Sequence, residues 1–165
     1  MSARKSSKSQ KQVSGNAEKY ESYKEAWARI SLAIENGFFL EAVTIEESII
    51  SDRLISYLSR PTTSIPLSEG RHGLYTLTKK WKSELPSGLP FGEYTDLISE
   101  VDTWRCLRNE IVHAIVKSEP GQSHQPIEQF LQKAQESAEV GTKLARAVCK
   151  WTQEQNKEIA ASIKR

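Results

Sequence analysis

Three groups suited to phosphate chemistry fall together in Arg108-Asn109-Glu110-Ile111-Val112-His113. A guanidinium fork can hold two phosphate oxygens at once. An imidazole can give or take a proton near neutral pH. A carboxamide can orient either of them. On a helix, Asn109 and His113 share one flank because they stand four residues apart, and Arg105 and Asp102 extend that flank upstream. Arg108 and His113 are five apart, roughly 140° around a helix. They line one groove only where another surface closes over them, and a symmetric second copy would supply such a surface.

Arg108 also sits where packing would prefer leucine. The apolar seam of its segment runs Leu97, Val101, Trp104, Ile111 and Ile115, and Arg108 falls in the middle of it. A charge in such a place needs a partner. An upstream segment has the same anomaly. Glu46 and Arg53 lie inside the arc of Phe39, Ala42, Val43, Ile49, Ile50 and Tyr57, with Glu47 expected to be solvated. Glu46 would pair with Arg53, or with Arg108 across a helix interface. The misplaced charges fit a shared polar site or a structural ion network within the bundle.

Apolar spacing of three and four residues predicts the helices that carry these groups. The first is expected over about 18–36, ended by Asn36-Gly37. The second covers about 38–59, and the tight junction predicts an antiparallel hairpin. A loop holds Pro61, Pro66 and Gly70. A shorter helix over about 73–85 turns Lys79, Lys80 and Lys82 outward. The helix with Arg108 is expected over about 93–118. The last helix starts near Pro126 and continues to about residue 163. Alternation of the β type is lacking, so the expected fold class is all-α, an antiparallel bundle of about five helices with a long C-terminal helix.

A chain of 165 residues fits one domain with a single core. Residues 1–17, rich in Ser, Lys and Gln, read as a disordered basic tail, and 18–165 as the domain. A formal net charge of +2 is compatible with a nucleic-acid partner but too weak to imply one. No run approaches the ~20 apolar residues of a membrane helix, and residues 1–12 lack the apolar stretch of a secretory signal. The expectation is a cytoplasmic protein without a membrane partner. Cys106 and Cys149 lie far apart, with no Cys or His at metal-ligand spacing. Both are expected to be reduced and buried, with no metal and no cofactor.

The string Arg108-Asn109-x-x-x-His113 resembles the Arg-x4-6-His motif of HEPN domains, in the form with a polar residue straight after the Arg. These are compact helical bundles that carry the motif on a late helix, and the resemblance covers about residues 18–160. Many are metal-independent endoribonucleases whose site forms where two motifs meet in a homodimer. They act as toxins, antiviral defence effectors and RNA-processing nucleases. The resemblance implies an RNA substrate, an antitoxin or other regulatory protein as a further partner, and Arg108, Asn109 and His113 as catalytic residues. Glu46, Arg53 and Arg105 would support them. One departure is Ile115, which stands where one HEPN subclass has a tyrosine that is modified.

Two other readings use the same residues. A non-catalytic binding module would use Arg105, Arg108 and His113 to hold a nucleotide or RNA phosphate, or to dock a partner. A structural adaptor would use Trp27, Trp81, Trp104 and Trp151 as core anchors and Arg108 in a buried ion network.

Overall fold

The first two helices meet at a tight turn. Gly37 takes φ +76°, the left-handed conformation that glycine adopts without a Cβ clash. The Phe38 N–H reaches back to the Ala33 carbonyl at 2.8 Å. This closes α1 (Ala3–Glu35) against α2 (Phe39–Leu58) as an antiparallel hairpin, with Lys19 and Tyr23 beside Asp52 at its far end. The computed structural model describes residues 3–64, 67, 70, 72–114 and 126–163, with side chains between residues 17 and 162. Among them are three further helices, α3 (Leu74–Glu84), α4 (Leu97–Ala114) and α5 (Ile127–Ile163), and no strand. The fold is all-α, with a long C-terminal helix.

Two boundaries differ from expectation. The backbone of α1 is helical from Ala3, through the segment expected to be disordered. That stretch contains no proline, the residue that most strongly breaks a helix. The start of α4 falls at Leu97 rather than near residue 93. The Asp96 carboxylate accepts the Ile98 N–H at 3.2 Å and the Leu89 N–H at 2.9 Å. It thus caps the helix and ties down the preceding turn, where Phe91 and Tyr94 form an isolated bridge.

Helix α2 is the hub and touches all four others. Its buried side chains are Ala42, Val43, Glu46, Ile49, Ile50, Leu54 and Leu58. Helix α4 runs antiparallel to α3 and α5, whereas α2 and α5 run in the same direction: Glu46 meets Thr142, Tyr57 meets Trp151 and Arg60 meets Asn156. Leu74, Leu77, Thr78 and Trp81 of α3 close the core, with the Trp81 and Trp151 rings 5.0 Å apart. Among the described residues no helix is long and apolar enough to cross a membrane.

Candidate functional site

The seam of α4 buries Leu97, Ile98, Val101, Trp104 and Ile111. Arg108 continues that seam toward α2, where burial ends. Its side chain is 22% exposed and forms a salt bridge with Glu47, itself 21% exposed. The Arg108 Nη1 donates to Asn109 Oδ1 at 2.9 Å, while its Nε is buried with no partner. The guanidinium is therefore fixed from two sides, with a neighbouring helix supplying the countercharge. His113 lies on the last turn of α4 and is exposed. Ile115, the last residue of the expected seam, lies outside the described residues.

The supporting residues expected from sequence separate into three places, only one of them on the motif helix. Arg105 donates its Nε to Asp102 at 2.8 Å and lies over the Tyr75 ring at 5.0 Å. Burial works against its charge, but the Asp102 contact outweighs this and holds its pKa above the ordinary value. Arg53 stacks on the Tyr23 ring at 4.0 Å, next to Asp52 and Cys149. Burial disfavours ionisation of Asp52, yet bonds from Tyr23 and Lys19 outweigh that and keep its pKa below the ordinary value. Glu46 pairs with neither Arg53 nor Arg108. It is fully buried under α5 and accepts the Thr142 hydroxyl at 2.6 Å. The reason is geometric: α5 covers Glu46, and the Arg108 side chain of α4 meets α2 at Glu47.

The expected pairing thus moves by one residue, and Glu47 is half-buried rather than solvated. A signal for it was present. Val43, Ile50 and Leu54, all buried, stand four before, three after and seven after Glu47, so it lies on the same helical face.

Around Glu46 the interior is polar but tightly filled. Trp104 Nε1 donates to the Ser137 carbonyl at 2.8 Å. A Cβ on Gly141 would fall 2.7 Å from the Trp104 ring and closer still to Glu46 Oε2. Only glycine lets the three helices approach this closely. With no cation beside it, burial pushes the Glu46 carboxyl up to about 8 against the Thr142 bond that lowers it. Glu46 Oε2 and Ser137 Oγ have no hydrogen-bond partner.

The cysteines also differ from expectation. Cys106 is exposed, because its position on α4 turns away from the seam, and Cys149 is intermediate. Burial raises the Cys149 thiol pKa, which keeps it protonated. Among the described residues no group of three or more His, Cys, Asp and Glu side chains could hold a metal ion.

Comparison of the chain with protein-family models finds no match. Neither the curated proteins nor the solved structures give one.

Proposed function

We propose that the chain is a metal-independent endoribonuclease of toxin or antiviral-defence type, with Arg108, Asn109 and His113 as its working residues at a homodimer interface. The observation that carries this reading is a fixed guanidinium on the same helix as an accessible imidazole, one turn before it. Arg108 is held by Glu47 and Asn109, and His113 is exposed on the following turn.

The chemistry fits these groups. RNA supplies its own nucleophile. The 2′-oxygen attacks the adjacent phosphorus, its proton passes to a base, and the 5′-oxygen leaves and takes a proton. His113 serves as base, and a second copy's imidazole serves as acid. Arg108 stabilises the charge that grows on the non-bridging oxygens. Asn109 keeps the guanidinium in register. The products carry 2′,3′-cyclic phosphate and 5′-hydroxyl ends. An antitoxin or other regulatory protein would act by covering this face.

A second reading is favoured by one observation, the Glu47 countercharge. An arginine already neutralised within its own chain suits a non-catalytic module that binds a nucleotide or RNA phosphate, or docks a partner, when Glu47 is displaced.

Incubation with total RNA and a tRNA pool in EDTA, followed by mapping of the ends, separates the two. Cleavage by the wild type with cyclic-phosphate ends, reduced at least about a hundredfold in His113→Ala, is the expected result. His113 is exposed, so its loss leaves the fold intact. Products with 3′-hydroxyl and 5′-phosphate ends would overturn the mechanism. RNA binding without cleavage by a folded dimer would establish the second reading.

A further inference from the structure

On the side of the bundle where α1 crosses α5, a groove of about 660 Å³ runs between α1, α2 and α5. Its wall combines aromatic and basic side chains: Tyr20, Tyr23, Trp27, Lys24, Arg53 and Arg146. Arg108, Asn109 and His113 do not line it. A second, smaller groove of about 280 Å³ adjoins it across Arg146, which lines both, and adds Phe91, Lys143 and Lys150, with Glu93 as its one carboxylate.

Three features set this surface apart from an ordinary solvated face. First, the cations are ordered by rings: Arg53 lies over Tyr23 at 4.0 Å and Arg146 over Trp27 at 4.6 Å. Lys150 lies over Phe91 at 5.9 Å. A guanidinium already ordered over a ring loses little freedom on binding. Second, no salt bridge among the described residues engages Arg53, Lys143, Arg146 or Lys150. Lys143, Arg146 and Lys150 share one exposed face of α5 at spacings of three and four. Third, three of the four tryptophans are core residues, with Trp81, Trp104 and Trp151 at 0%, 2% and 4% exposure. Trp27 alone is only partly buried, and Tyr20 beside it is 69% exposed.

We infer that this groove and its α5 ridge bind a single-stranded nucleic acid. Bases stack on the exposed aromatic and guanidinium faces, and phosphates follow Arg146, Lys143 and Lys150. Stacking platforms interleaved with cations along a groove recognise single strands without regard to sequence, because every base has a π-face. A duplex hides those faces and gains only the phosphate contacts. The inference goes beyond the cleavage reading and stands whether or not Arg108 and His113 cut RNA.

The test uses the full chain and a labelled oligodeoxythymidylate of about twelve nucleotides. This strand lacks the 2′-hydroxyl and so survives any cleavage of the proposed kind. Strand anisotropy reports affinity. Tryptophan emission reports stacking at Trp27, because the other three tryptophans are buried. The expected result is binding that quenches emission, weakens with salt, and is at least about tenfold tighter than for a duplex of equal length. Trp27→Ala and the double variant Arg146→Glu/Lys150→Glu should each weaken it about tenfold or more. Arg146→Gln/Lys150→Gln, a milder change at the same exposed positions, should weaken it in the same direction. Equal affinity for duplex and single strand would overturn the inference. So would unchanged affinity in all the variants, or equally tight competition by polyglutamate or anionic vesicles, which would mark a surface for polyanions in general.

Discussion

Glu46 and Glu47 are adjacent on α2, yet they occupy opposite electrostatic situations. Glu46 is sealed beneath α5 with a hydroxyl for company, and its carboxyl titrates near 8. Glu47 stands at the rim of the bundle and faces the Arg108 guanidinium. A turn of about 100° per residue moves a carboxylate from a niche that favours its neutral form to an edge where a cation favours its charge. Misplaced charge on an apolar arc is therefore not one signal but two. A lone buried acid marks tight interior packing, whereas a half-buried ion pair marks a place where two helices present charge near solvent.

A single substitution breaks the interior half of the contrast. Gly141→Ala drives a Cβ into Glu46 and the Trp104 ring. Thermal or urea unfolding should show a loss of about 3 kcal/mol, the upper range for overpacking. Next comes pH. The folded Glu46 carboxyl, raised from 4.5 to about 8, holds a proton that the unfolded chain releases. Between those values the native state binds more protons, so stability falls as pH rises, by up to about 1.4 kcal/mol per pH unit. It levels off above 8 and is fully present below 4.5. Urea titrations of Glu46→Gln should lose this slope and exceed the wild type in stability at pH 8. An unchanged slope would mean that Glu46 is ionised throughout.

The edge half is sharpened by a double-mutant cycle. Arg108→Leu leaves Glu47 without its cation and should cost about 2 kcal/mol, less than a fully buried pair because both side chains keep some exposure. Glu47→Gln in the same chain should recover about 1 kcal/mol of it. Zero coupling would show that the pair contributes nothing to folding. The smallest effect is expected at His113. Its exposed side chain predicts that His113→Ala changes stability by no more than about 0.5 kcal/mol, whatever it does to RNA.

Much of this was legible from local pattern. The periodic apolar spacing places α2, α3 and α5 within one or two residues of their observed ends, and Asn36-Gly37 marks the hairpin turn. Arg108 stands out as a charge in a seam on spacing alone. The partner choices were not legible in this way. Which of two adjacent glutamates meets Arg108 depends on where α4 crosses α2, and the roles of Gly141 and Thr142 depend on α5 lying over Glu46. Those are distant pairings that periodicity does not encode. The Asp96 cap is a different case: the carboxylate directly before Leu97 is a local start signal that the longer apolar pattern upstream obscures. The Arg53 cluster belongs to the groove instead of the motif helix for the same non-local reason, since Tyr23 and Cys149 come from α1 and α5.

The parallel pairing of α2 with α5 bears on how the chain reaches this structure. The bond from Thr142 to Glu46 spans 96 positions, as does that from Arg60 to Asn156. During synthesis the side of the hub helix that α5 covers must therefore stay open until that helix leaves the ribosome, though α1 and α3 can pack on α2 earlier. Helical bundles with local contacts fold fast, but closing so long a loop first slows the search. Refolding slower than is usual for a helical bundle of this size follows from that topology. So does a nascent chain that leans on chaperones or aggregates when translation stalls before α5.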